Sequence, residues 1–204
     1  MLYYETVFPE TLQLLRDIQS LPVMAGYPLV GGTALALQVG HRLSIDLDFF
    51  GDNTADMTSI ETSLSGLGRL IVDNRSANVI NARLRDIKVD VVRYRYPLIE
   101  PPIRIEGLTL AAVEDIAAMK LAAIVGRGSK KDFIDLFFLL ERYSIEELMD
   151  FFRRKISDES DLMVARSLTY FEDADVEAMP KMLSSVAWSE VKTRIRKAVK
   201  AAWF

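Results

Sequence analysis

Two aspartates one residue apart, Asp46 and Asp48, interrupt an apolar run formed by Ile45, Leu47, Phe49 and Phe50. Side chains alternate across a strand, so both carboxylates face the same way. Side by side they repel each other unless a proton or a cation lies between them, which points to a divalent metal site. Upstream, Gly31 and Gly32 open a short helix, Thr33 to Val39. Glycine lets backbone N–H groups approach a phosphate, and the start of a helix favours negative charge. The stretch from Gly31 to Phe50 is therefore laid out to hold a nucleoside triphosphate with its magnesium. A strand edge or a turn cap is the plainer alternative for the aspartate pair.

Other residues could complete that chemistry. Asp90 lies in IKVDVVRY, where Val89 and Val91 share one strand face and Lys88, Asp90 and Val92 the other. It is either a third carboxylate for the site or the solvent side of a half-exposed strand. The guanidinium fork of Arg42 matches phosphate oxygens. Lys120 is set among Met119, Leu121, Ala122 and Ala123, with Arg127 seven residues on and thus on the same helix side. Such cations would neutralise charge that grows as pyrophosphate leaves. Thr33 offers its hydroxyl to phosphate or caps its helix. Asp132 forms S-x-x-D with Ser129, a capping arrangement that is compatible with a functional role. His41, the single histidine, cannot make a zinc site alone and either meets the nucleotide or caps the helix.

The elements that must position these groups divide the chain. Helix is expected from Pro9 to Leu21 and strand from Tyr27 to Val30, Ile45 to Phe50, Arg69 to Asp73, Asn78 to Leu84 and Ile87 to Tyr94. A turn is expected over Gly51 to Thr54, and a capping box at Thr58 and Glu61. Pro97, Pro101 and Pro102 then end the strand-rich half. Beyond them come helices from Ala112 to Val125, from Ser129 onward, from Ile145 to Ile156 behind the Ser144–Glu147 capping box, and over 161–171. An acidic loop (Glu172, Asp173, Asp175, Glu177) precedes a last helix from about Leu183 to Trp203, whose basic sides are a solvated face or a grip for an RNA backbone.

Composition narrows the classes. Half of the 204 residues are hydrophobic, a quarter are charged and none is cysteine. Disulfides and thiolate metal sites are thereby excluded, and a reducing, cytoplasmic setting is expected. A net charge of −4 argues against a broadly basic nucleic-acid surface. The opening MLYYETVFPE has no basic start and no apolar run, so no secretion signal is expected, and the apolar stretches are too short or too interrupted by charge for a membrane span to be expected.

The glycine turn, Asp46-x-Asp48 and the distant Asp90 resemble the DNA polymerase beta-like nucleotidyltransferase superfamily. More specifically, GGTALAL…HRLSIDLDFF, KVDVVRY, DIAAMKLAAIVGRGSKKDFIDLFFLL and SLTYFEDAD are similar to the AbiEii toxin-type nucleotidyltransferases of type IV toxin–antitoxin and abortive-infection systems. The resemblance implies an α+β architecture: a mixed-sheet nucleotidyltransferase domain over 1–104 and a helical C-terminal domain over 105–204 that completes the cleft. It implies transfer of a nucleotide from a nucleoside triphosphate to a hydroxyl, with Mg2+ (or Mn2+) on Asp46, Asp48 and Asp90. Gly31, Gly32 and Thr33 match the triphosphate turn. Lys120 and Asp132 match two further motifs, with Arg127, Lys131 and Asp135 close by. A tRNA acceptor and an antitoxin partner are the implied associations. Transfer to a small molecule such as an aminoglycoside, and a catalytically silent nucleotide-binding module, remain the alternatives.

Overall fold

The computed structural model describes residues 1–51, 55–156 and 160–203. The first helix, α1 (Pro9–Gln19), carries proline in its opening turn and buries Leu14, Leu15 and Ile18. A two-residue strand β1 (Leu29–Val30) leads into α2 (Gly31–Val39), which ends on the left-handed Gly40. Strand β2 runs Leu47–Gly51, so the expected strand starts two residues late and Ile45 is exposed. Of the turn expected over Gly51 to Thr54, Gly51 closes β2 and the remainder lies outside the described residues.

Helix α3 (Met57–Ser65) begins ahead of the expected capping box. Thr58 and Glu61 instead both hold Arg75, at 2.7 and 3.1 Å. Strands β3 (Leu70–Arg75), β4 (Val79–Leu84) and β5 (Ile87–Arg93) form an antiparallel meander. The β4–β5 turn places Arg85 and Asp86 at positive φ, the form that matches strand twist in a two-residue hairpin.

A second tight hairpin, β6 (Ile103–Ile105) and β7 (Leu108–Leu110), was not anticipated from sequence. Its Glu106–Gly107 turn repeats the same geometry, but three-residue strands give too little alternation to read. β7 pairs parallel to β1, so the sheet runs to Leu110, and the division expected after residue 104 falls within β6.

The seven strands among the described residues take the order β3-β4-β5-β2-β1-β7-β6 in one mixed sheet. One face (Leu47, Phe49, Ile80, Ala82, Val89, Val91) is buried in the hydrophobic core. The other face, at β2 and β5, is left for the site. Helices then follow: α4 (Val113–Gly126), α5 (Lys130–Leu139), α6 (Ile145–Lys155), α7 (Asp161–Thr169), α8 (Glu172–Asp175) and α9 (Trp188–Trp203). The architecture is α+β. Helix α4 is the spine, packing on α2, α5, α6 and α7.

The expected acidic loop is partly helical in α8, and its Asp175 binds Trp188 and Lys192 of α9. α9 starts at Trp188 rather than near Leu183, because the preceding chain runs beside residues 41–43 as an extended segment. A buried pair, Lys155 Nζ to Asp115 Oδ1 at 2.6 Å, ties α6 to α4. Asp115 also accepts the Ile99 and Glu100 amides, which fixes the proline-rich segment against the helices.

The Ser144–Glu147 capping box forms as expected, with Ser144 Oγ accepting the Glu147 amide and Glu147 accepting the Ser144 amide. Ser144→Ala is expected to cost about 1 kcal/mol, read as a lower urea midpoint with an unchanged slope.

Candidate active site

The parallel pairing of β2 with β5 sets Asp48 opposite Asp90 in register, on the sheet face that the core does not use. Neighbouring strands lie about 4.8 Å apart, so these carboxylates are close like charges. Asp46, just ahead of β2, lines the same cleft. Each carboxylate is held differently. Asp90 accepts from Asn81 Nδ2 at 2.9 Å and pairs with Lys88 Nζ at 2.9 Å. Asp46 has Lys131 Nζ at 3.9 Å. Asp48 has neither hydrogen-bond partner nor counter-ion among the described residues. Loss of solvent, then the charges of Asp90 and Asp46, push its pKa up to about 6.

Gly31 explains why a glycine opens α2. Its φ is +69°, and a β-carbon there would lie 2.3 Å from Asp48 Oδ2. Gly31→Ala is expected to cost about 1–2 kcal/mol from the left-handed backbone alone and to displace the carboxylate, lowering the denaturation midpoint and activity together. At Gly32 the added carbon would sit 2.4 Å from Arg42 Nη2. That guanidinium cannot yield, being locked elsewhere.

The lock is a second cluster, on the α5 side. Asp132 and Asp135 stand three apart on α5 and so share a face. Asp135, fully buried, takes Arg42 in a two-pronged pair (2.7 and 2.9 Å), Lys120 Nζ at 2.5 Å and His41 Nε2 at 2.8 Å. Asp132 takes Lys120 at 2.9 Å, Arg127 Nε at 3.0 Å and the Ser129 hydroxyl at 2.6 Å. Burial works against both carboxylates, yet these partners hold Asp132 below, and Asp135 well below, the usual range. Burial lowers the His41 pKa, so a neutral imidazole donates Nε2–H to Asp135. His41 Nδ1 has no partner among the described residues.

The sequence-selected residues therefore fall into distinct places. Asp46, Asp48, Asp90, Gly31, Gly32, Arg42, Lys120, Arg127 and Lys131 all line one cleft of about 760 Å³ between the sheet and α4. Lys120 and Arg127 do share a helix side, since both reach Asp132. Arg127 and Lys131 keep exposed side chains, whereas the Arg42 and Lys120 charges are matched by buried aspartates. Thr33 is fully buried and lies inside α2; it donates to the Asp46 carbonyl, and its oxygen is 2.8 Å from the Ser44 hydroxyl. Ser129 gives its hydroxyl to the Asp132 side chain rather than capping α5.

Sequence reasoning passed over Lys88, Lys181, Phe50 and Tyr94 as cleft residues. Lys88 was legible, sharing the face of Asp90. Lys181 was not: it arrives through the bridge between Arg42 and Met182.

The donor set suits a hard divalent cation, since it offers carboxylate oxygens from three positions and leaves Asp48 uncompensated. As they stand, no three histidine, cysteine or acidic side chains among the described residues are grouped closely enough to hold an ion. Lys88 and Lys131 supply the positive charge there. No helix among the described residues is long and apolar enough to cross a membrane.

Residues 14–202 match the family described as nucleotidyl transferase AbiEii toxin, type IV TA system. The chain belongs to the AbiEii nucleotidyltransferase family. Consistent with that membership, it is 36% identical to the uncharacterized protein aq_aa25 of Aquifex aeolicus (strain VF5), over 94% of this chain and 95% of that protein. Among solved structures this AbiEii chain is similar in fold to a provisionally assigned nucleotidyltransferase from H. pylori, with TM-score 0.59, 19% identity and 95% of each chain covered. It is also similar to MenT4, a nucleotidyltransferase toxin of Mycobacterium tuberculosis H37Rv, with TM-score 0.53, 19% identity, and 94% and 84% of the two chains covered. An AbiEii chain with this cleft is a nucleotidyltransferase enzyme.

Proposed function

We propose that the enzyme moves the nucleotidyl group of a nucleoside triphosphate to an acceptor hydroxyl, such as a tRNA end, using Mg2+ (or Mn2+) bound by Asp46, Asp48 and Asp90. The single observation that carries this reading is Asp48, an unpaired carboxylate set in register beside Asp90 and against the glycine turn. Bound divalent ions would polarise the phosphoryl oxygens and lower the pKa of the acceptor hydroxyl.

The chain's own residues have separable tasks in this reading. Backbone N–H groups at Gly31 and Gly32 receive the triphosphate. Arg127 and Lys131 reach its outer phosphates, while Lys120 and Arg42, braced by Asp132 and Asp135, fix the cleft wall and its potential. Thr33 positions the Asp46 segment through that residue's carbonyl rather than touching phosphate. The acceptor oxygen bonds to the α-phosphorus as the bond from that phosphorus to the bridging α–β oxygen breaks. Asp90 takes the hydroxyl proton, and pyrophosphate leaves toward the cations.

The family context supports a toxin role with an antitoxin partner, and the lack of cysteine suits a reducing cytoplasm. Incubation with a triphosphate labelled at the α-phosphate should move label onto the acceptor, whereas label at the γ-phosphate should appear only in pyrophosphate. Label carried from the γ position onto the acceptor would make the enzyme a kinase instead. Offering tRNA and aminoglycosides in parallel separates the macromolecular acceptor from the small one.

A further inference from the structure

The cleft is charged at one end and aromatic at the other. At the Asp46 end lie Lys131, 3.9 Å from that carboxylate, and the exposed Lys181. Two residues beyond Asp48 along β2, about 7 Å away at the usual rise, Phe50 lines the same cleft. It shares a face with Asp48 by alternation. There it meets Tyr94 at the end of β5, with ring centroids 5.0 Å apart and planes inclined by 48°. Both rings are half-buried, so each keeps area open to the cleft.

The Tyr94 ring is also held from behind. The Lys155 ammonium sits 5.4 Å from its centroid and Tyr96 meets it edge-on at 5.3 Å. That ammonium is itself immobilised, 2.6 Å from Asp115 and 2.9 Å from the Pro97 carbonyl. The backbone amide of Tyr94 donates to the Gly51 carbonyl at 2.8 Å, fixing the end of β5 to β2. A rigid aromatic surface one step beyond two catalytic carboxylates is more than the phosphates require. Rings held ready in this way favour a flat ligand, because little freedom is lost when it stacks.

We propose that Phe50 and Tyr94 form the platform on which the base of the nucleoside triphosphate stacks, with its phosphates running toward Lys131 and Lys181. This rests on the nucleotidyltransferase reading and adds the position of the base. The faces of the two rings offer no hydrogen-bond pattern, so the platform accepts a base through its π-face and discriminates weakly among bases. Selection of one base would have to come from other groups.

Calorimetry on the full chain with Mg2+, comparing each of the four common ribonucleoside triphosphates with inorganic tripolyphosphate, tests this. Phe50→Ala and Tyr94→Ala are each expected to weaken the triphosphates that bind by about ten-fold or more, while tripolyphosphate stays within about two-fold. Tyr94→Phe should bind like the wild type and Tyr94→Leu like the alanine variant, which separates a ring from mere bulk. Retained tripolyphosphate binding also reports that each variant is folded. Unchanged nucleotide affinity in the alanine variants overturns the platform, including the case in which only the acceptor KM rises. Equal losses for nucleotide and tripolyphosphate overturn it too. A wild-type chain that binds neither probe would instead sink the nucleotidyltransferase reading beneath it.

Discussion

Asp48→Asn is expected to lower nucleotidyl transfer by about a thousand-fold or more, since metal-borne stabilisation of the transition state is worth several kcal/mol. The amide preserves shape but brings no negative charge to a divalent ion shared with Asp46 and Asp90. Stability should move the other way or not at all. In the folded chain the Asp48 charge is poorly solvated and lies beside two like charges, with Lys120 and Lys88 acting on it only from a distance and no ion-pair contact among the described residues. Removing it relieves repulsion, so the urea midpoint is expected to hold or rise. Full transfer by a folded Asp48→Asn chain would dismiss the carboxylate site. A fall in both transfer and midpoint would mean that Asp48 is structural.

Asp135→Asn is the opposite case. It leaves Arg42 buried without its ion-pair partner and Lys120 with Asp132 alone. Breaking a buried pair in this way costs about 3–5 kcal/mol, equivalent to roughly 6–20 °C in melting temperature for a chain of this size. The pH dependence gives a second signature. Asp135 is held well below its ordinary value of 3.8, so the unfolded chain takes up this proton first as pH falls. Its stabilising contribution is complete above the ordinary value and is lost as pH drops through the native one. The gap in urea midpoint between wild type and Asp135→Asn should therefore be wide near about pH 7 and narrow in acid. A gap that stays constant with pH would assign the loss to packing rather than charge.

These two substitutions mark how unevenly the site could be read beforehand. Asp48 and Asp90 were legible because carboxylates break an apolar, period-two pattern, and alternation places both on a known face; Asp46 lies ahead of β2, where alternation does not reach. Gly31 was read as a close approach to phosphate, whereas its left-handed φ and the closeness of Asp48 came only from the structure; Lys120 and Arg127 were legible as helix neighbours. Asp135 was harder to weigh. On α5 it is one acidic residue in an amphipathic stretch, and nothing local says that Arg42 and His41 lie against it. Lys181 and the Phe50–Tyr94 pair were hidden for the same reason.

The sequence by itself determined the identity of the chemical groups and the face on which each stands, because strand and helix periods are properties of the local backbone. It also proposed the cap at Ser144 and Glu147, which forms, but the same spacing at Thr58 and Glu61 and at Ser129 and Asp132 makes none, because those side chains find other partners. Tertiary structure alone decided the parallel register that sets Asp48 against Asp90 and the burial that removes solvent from Asp48. It also decided the convergence of residues 42–43, 120 and 181 on one cleft. Contacts between distant segments depend on how whole elements pack, and that information is spread over the core rather than written at the residues that meet.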